Sequence, residues 1–194
     1  MDVPINNTGY NILDAFEETP DDELRMLMEA NFSGASNVIR TAPRTLRTPL
    51  SGAIANISGL GEQLSFAGFS AYSAAKFALE GVGETLAQEM KPFGIKVLIV
   101  ELGQFRTNLV RPSMRHMCQM EVYHDVVGNT RRFAHDMRGT QPGDPLKAAA
   151  AVETAFQASE TPLRLQLNAD AIDAVRDHSI IVLRELATKQ GLTQ

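Results

Sequence analysis

A tyrosine and a lysine stand four residues apart in Tyr72-Ser73-Ala74-Ala75-Lys76. On a helix that spacing puts both side chains on one face. An ammonium beside a phenol favours the phenolate, so the tyrosine pKa is expected to fall from about 10 towards neutral. A phenol tuned in this way gives a proton to a carbonyl oxygen or takes one from an alcohol. The spacing by itself also describes a solvated, snorkelling pair. Its meaning therefore depends on the elements around it.

Those elements follow from hydrophobic periodicity. Residues 53–58 read as a short apolar strand with a polar end, and residues 95–101 as a second strand. The second is nearly all apolar, as a strand buried on both faces should be. Between them residues 70–90 read as a long helix, stopped around Pro92 and Gly94. Upstream, residues 1–5 look like the tail of a strand that enters a turn at Asn6-Asn7-Thr8-Gly9. Thr19-Pro20-Asp21-Asp22 predicts a helix start, with Thr19 as N-cap and Pro20 at the first helical position. Leu24, Leu27, Met28, Phe32 and Ala35 continue that helix, and Pro43 should kink or end it. Residues 104–143 are less regular and rich in Met and Arg. Residues 145–158 predict a helix, 163–167 an alternating edge strand and 169–189 a last helix. Strands alternating with helices predict an α/β fold, a parallel sheet with crossover helices. Such sheets bind ligands at the carboxyl ends of their strands, where Asn7, Ser58 and Gly103 fall.

Composition narrows the function classes. The 194 residues are 44% hydrophobic and carry a net charge of -5, with no basic run. That balance argues against nucleic acid and anionic membranes as partners. Cys118 is the sole cysteine, so no internal disulfide forms, which fits a reducing, cytoplasmic setting. No apolar run is long enough to span a bilayer, and residues 1–10 lack a secretory pattern. His116, His124, His135 and His178 match no metal-ligand spacing, so no metal is expected. The Asn-x-Ser/Thr triplets at Asn6, Asn31 and Asn56 read as chance matches. Residues 114–120, with three methionines, read as an apolar lid or as a mobile loop with a methionine or two buried. Arg131, Arg132 and Arg138 are expected in solvent.

Several segments together resemble the short-chain dehydrogenase/reductase family, classical type. Asn6-Asn7-Thr8-Gly9 is similar to its N-N-A-G turn, with Thr for Ala. Asn31 falls where the family has the asparagine of its fourth helix. Residues 53–58 resemble the strand that delivers the catalytic serine. Residues 69–81, which include Tyr72 and Lys76, resemble the active-site helix, with Ala75 in place of the usual Ser. Leu102-Gly103-Gln104-Phe105-Arg106-Thr107 resembles the P-G-x-x-x-T turn, with Leu102 replacing Pro. Pro142-Gly143-Asp144-Pro145 and Pro162-Leu163-Arg164-Leu165 resemble the C-terminal part.

The resemblance implies one Rossmann-like domain over residues 1–194, truncated to about four strands, since T-G-x-x-x-G-x-G is not found. It implies an NAD- or NADP-linked oxidoreductase that acts on a ketone or a secondary alcohol. Tyr72 would be the acid/base, Lys76 would tune it and bind the nicotinamide ribose, and Asn31 would support a proton relay. Asn6, Asn7 and Gly9 would border the adenosine half of the cofactor. Gly103, Phe105 and Thr107 would meet the nicotinamide. The family serine lies thirteen residues before the tyrosine, where this chain has Gly59. Ser58 would join the catalytic set if a bulge at Gly59 turned it inward. Otherwise it is a strand-end hydroxyl facing away. Gly59-Leu60-Gly61 and Gly81-Val82-Gly83 both lack the strand-turn-helix context of a phosphate loop. Without such a loop, the strand ending at Ile5 should be an open edge. The alternative function is a catalytically impaired family member that acts as an assembly module, with itself or with a full-length relative.

Overall fold

The computed structural model describes residues 2–59, 65–110 and 114–189. Its strands are β1 (Ile5–Asn6), β2 (Asn11–Ile12), β3 (Gly52–Ile57), β4 (Ile95–Leu102), β5 (Met114–Arg115) and β6 (Arg164–Leu167). Its α-helices are α1 (Asp21–Met28), α2 (Gly34–Leu46), α3 (Ser70–Met90), α4 (Val127–Asp136), α5 (Pro145–Gln157) and α6 (Ala169–Lys189). The central sheet is parallel, in the order β1-β3-β4-β6. The chain is therefore an α/β fold with the expected four-stranded sheet and flanking helices. Among the described residues β1 pairs on one side only, and Ile5 on it is 55% exposed.

The apolar run of β4 is explained by a core on each face of the sheet. On one face Ile54, Ile95 and Val97 pack with Ile39 and Leu46 of α2 and with Leu79, Leu86 and Met90 of α3. On the other, Ala53, Ala55, Leu98 and Val100 pack with Ala155 and Phe156 of α5. Gly83 sits at the closest approach of α3 to the sheet, since a Cβ there would lie 2.9 Å from Ile99. That accounts for Gly83 as a packing site, whereas a Cβ at Gly81 would meet nothing within 4 Å. The other glycine pattern includes Leu60 and Gly61, which lie outside the described residues.

Several expectations are corrected. Pro20 occupies the N-cap position and Asp21 opens α1, while the Thr19 hydroxyl bonds back to the Ala15 carbonyl. Pro43 does not end its helix. It lies inside α2, which runs on to Leu46. Between α1 and α2 the backbone widens into a π-helical turn, Glu29–Ser33, with Asn31 buried at its centre. Residues 104–143 hold more order than their composition suggests: β5 pairs with β2, and α4 follows. Two-residue strands and a ten-residue helix leave too few repeats for a periodic signal.

Candidate functional site

Tyr72 and Lys76 lie one turn apart on α3 and face the same way. The Lys76 ammonium is 5.7 Å from the Tyr72 ring centroid. Both side chains are largely covered, at 8% and 5% exposure. Lys76 Nζ donates to the Ile57 carbonyl at 2.7 Å, which fixes the cation at the carboxyl end of β3. Phe69 braces Tyr72 edge-on, with centroids 6.4 Å apart.

Asn31 is held by its side chain. Its Oδ1 accepts from the Tyr10 N–H at 3.0 Å, and its Nδ2 donates to the Tyr10 carbonyl at 2.8 Å. Gly9 makes this possible, because a Cβ there would lie 3.2 Å from Asn31 Oδ1. The π-turn and the residues after β1 are thus locked together beside α3. π-turns recur at functional sites because they re-aim backbone groups. Asn31→Ala would leave both Tyr10 backbone groups without their partner. We expect a loss of about 2 kcal/mol, read as a lower urea midpoint with an unchanged slope.

The remaining predicted residues divide. Asn6 donates to Asn56 Oδ1 at 2.8 Å, across the β1–β3 pair and out of solvent, so its amide is committed to the sheet. Asn7 and Thr107 are exposed. Thr107 Oγ1 accepts a long contact of 3.4 Å from the Leu109 N–H. Gly103 closes the end of β4 by donating to the Leu167 carbonyl. Phe105 is buried and bridges to Gly143. The burial of Asn6, Asn31 and Asn56 also takes all three triplets out of reach of modification.

Ser58 departs from the inward-turned option. Its N–H continues the ladder to the Val100 carbonyl at 2.8 Å, so the register runs on with no bulge there. Its hydroxyl is buried without a hydrogen-bond partner among the described residues, near enough to the Glu80 carboxyl of α3, one turn beyond Lys76, to favour the ionised carboxylate slightly. Sequence reasoning missed the cluster it joins. Glu80 Oε2 and Glu101 Oε1 both contact Arg164, at 3.0 Å, and Gln166 donates to Glu101 Oε2 at 2.8 Å. The signal was available: Glu101 interrupts an apolar strand, directly opposite Gln166 and two residues past the pairing of Ile99 with Arg164.

Burial raises the Glu80 pKa, and the Glu101 charge adds to this, against the opposing pull of Arg164 and Ser58. A carboxyl raised on folding binds more protons in the native state than in the unfolded one. Stability should therefore fall as pH climbs from the ordinary carboxylate value through the raised one. Glu80→Gln is expected to flatten that slope, by up to one proton, in thermal melts taken across about pH 4 to 8.

A second ionic cluster overturns the expectation that Arg131 is solvated. Its guanidinium is largely buried between two fully buried carboxylates, 2.5 Å from Asp14 and 2.6 Å from Glu18. The same carboxylates accept the N–H groups of Met117 and Met120, each at 2.7 Å. Residues 114–120 are therefore strapped to the segment before α1. Met117 packs against the core cluster formed by Ile12, Leu27, Ala71 and Ala75.

Comparison with known proteins agrees with this fold. The family model for short chain dehydrogenase matches residues 1–117. The chain is 35% identical, over 173 residues, to oxidoreductase BOA17 of Botryotinia fuckeliana; the match covers 89% of this chain and 63% of that protein's length. It superposes on a short-chain dehydrogenase from Streptomyces avermitilis with a TM-score of 0.91 and 45% identity, over 100% of this chain and 70% of the other. A short chain dehydrogenase from Burkholderia cenocepacia, solved in complex with NADP, shares the fold at a TM-score of 0.67 and 21% identity, over 100% of this chain and 69% of its own. A tyrosine and a lysine on one face of α3, at the carboxyl edge of a parallel sheet, and a family match over more than half the sequence lead to one conclusion: the chain belongs to the short-chain dehydrogenase family.

Proposed function

We propose that this chain works as an NAD- or NADP-linked oxidoreductase that interconverts a ketone and a secondary alcohol. The observation that carries the reading is the shared helix face of Tyr72 and Lys76, with the ammonium anchored on the Ile57 carbonyl. In reduction, the Tyr72 phenol gives its proton to the carbonyl oxygen. In oxidation it takes that proton back. Lys76 keeps the phenolate form accessible by its charge. Asn31 holds the π-turn in place beside the pair and supports the path by which the phenol is reprotonated. Ser58 acts at one remove, through Glu80.

The residues present fit the nicotinamide half of a dinucleotide. A buried cation sits at the carboxyl end of β3 with a buried phenol one helical turn away, and the turn after β4, from Gly103 to Thr107, carries an exposed hydroxyl. Lys76 would hold the ribose, and Gly103, Phe105 and Thr107 the carboxamide. Asn6, Asn7 and Gly9 would border the adenosine side. The nicotinamide supplies or accepts the hydride when bound. The Burkholderia relative in complex with NADP supports a nicotinamide cofactor. The lone thiol at Cys118 suits a reducing compartment such as the cytoplasm. Among the described residues, no helix is long and apolar enough to cross a membrane.

A second reading is a catalytically impaired assembly module that pairs with itself or with a full-length relative. It draws on a groove of about 630 Å³ between α2 and α3, with Arg40, Arg44 and Arg47 on one wall and Glu89 on the other. Turnover separates the two. Consumption of reduced nicotinamide with a panel of ketones supports the enzyme. A folded chain with no turnover in either direction supports the module.

A further inference from the structure

The second half of α6 is exposed among the described residues, every one from Ser179 to Lys189. Ile180, Ile181, Val182 and Leu183 are 40–64% exposed, and Leu186 follows at 58%. Four consecutive helical residues step by about 100° each and so point to all sides. Of these, Ile180 and Ile181 share a face with Asp177 and Arg184, at helical spacings of three, four and seven from Asp177.

The charges flanking this run identify the occupant. Asp177 and Arg184 stand one on each side of it, separated by two helical turns, and neither has a hydrogen bond or ion pair among the described residues. Arg176 and Glu185 stand immediately outside the same two positions. Arg176 is held by Asp173 at 2.8 Å, and Glu185 by Lys189 at 3.7 Å, both in exposed, weak pairs. Let a second α6 run antiparallel about a two-fold axis midway between Ile180 and Ile181. One register then sets Asp177 against Arg184 of the second copy and Arg176 against its Glu185, each contact occurring twice. Ile180 meets Ile181 at the centre. A parallel pair would instead set Asp177 against Asp177 and Arg184 against Arg184, which is unfavourable. The surface is complementary to itself in one orientation, as a two-fold contact requires.

We propose that α6 is the surface through which two copies of this chain pair, antiparallel, with Ile180 and Ile181 at the axis. The proposal is independent of turnover. Its test is the molar mass of the whole chain by sedimentation equilibrium at about 1 to 100 µM. Asp177→Arg and Arg184→Asp each place like charges across the axis twice. Each is expected to halve the assembly mass, or to weaken association at least tenfold. Both positions are exposed, and circular dichroism should show the fold unchanged. The double variant Asp177→Arg/Arg184→Asp restores opposite charges and should restore the wild-type mass. A wild-type chain that is monomeric throughout would overturn the proposal. So would an assembly whose mass ignores the single variants, since copies would then meet elsewhere, and so would a double variant that fails to recover. A monomer that sediments with lipid vesicles would transfer the apolar run to a membrane surface and equally end it.

Discussion

Tyr72→Phe is expected to lower the rate of ketone reduction by about 10²–10⁴-fold, the usual contribution of a positioned acid. The substitution removes one oxygen and keeps the ring. The edge-on contact with Phe69 and the cation over the ring face both survive it. Thermal stability should therefore barely change, and the variant should remain a fair comparison with the parent. The loss belongs in kcat, because the proton moves in the transition state and the phenol adds little to the hold on substrate. Assayed by consumption of reduced nicotinamide, a Tyr72→Phe variant with parental turnover would remove the phenol from the chemistry. Lys76 would then be left as a buried cation that joins α3 to β3, a structural role its 2.7 Å bond to the Ile57 carbonyl already supplies.

The parts of this molecule that could be read from sequence are those with long repeats or with chemistry at fixed spacing. Ser70–Met90 and Ala169–Lys189 form helices over the ranges their periodicity predicts. β4 is apolar because two cores claim it, one from each face. The Tyr72–Lys76 pairing follows from the helical repeat alone. What escaped was set by partners distant in sequence. Arg131 looks like a surface residue until Asp14 and Glu18, more than a hundred residues upstream, are folded against it. Ser58 faces Glu80 because the ladder to Val100 continues unbroken, and no local signal distinguishes that from a bulge. The π-turn at Asn31 arises where helix geometry yields to the two hydrogen bonds that its side chain makes with Tyr10. In each case a tertiary contact overrode, or completed, a local preference.

Arg131→Met should be the most destabilising of the substitutions considered. The guanidinium bridges two carboxylates with no exposed surface and also donates to the Leu13 carbonyl. Removing one partner of a buried ion cluster leaves uncompensated charge and typically costs about 3–5 kcal/mol. For a chain of this size that is a fall of roughly 10 °C in Tm. The pH response should change with it. Burial pushes the Glu18 carboxyl up, but the Met120 and Ala15 N–H groups and Arg131 together hold it below the ordinary carboxylate range. A depressed native pKa gives stability that is present above the unfolded value and lost as pH falls through the native one. Without Arg131 part of that depression goes, so the acid-side loss of stability should be blunted relative to the parent. The local consequence lies at residues 114–120. The amides of Met117 and Met120 hang on Asp14 and Glu18, and their hydrogen exchange should accelerate more than that of β4. Because Met117 packs against the cluster that includes Ala71 and Ala75 of α3, loosening it should loosen the packing of the helix that carries Tyr72. A variant with parental Tm and parental exchange at these two amides would show that the strap holds without its cation.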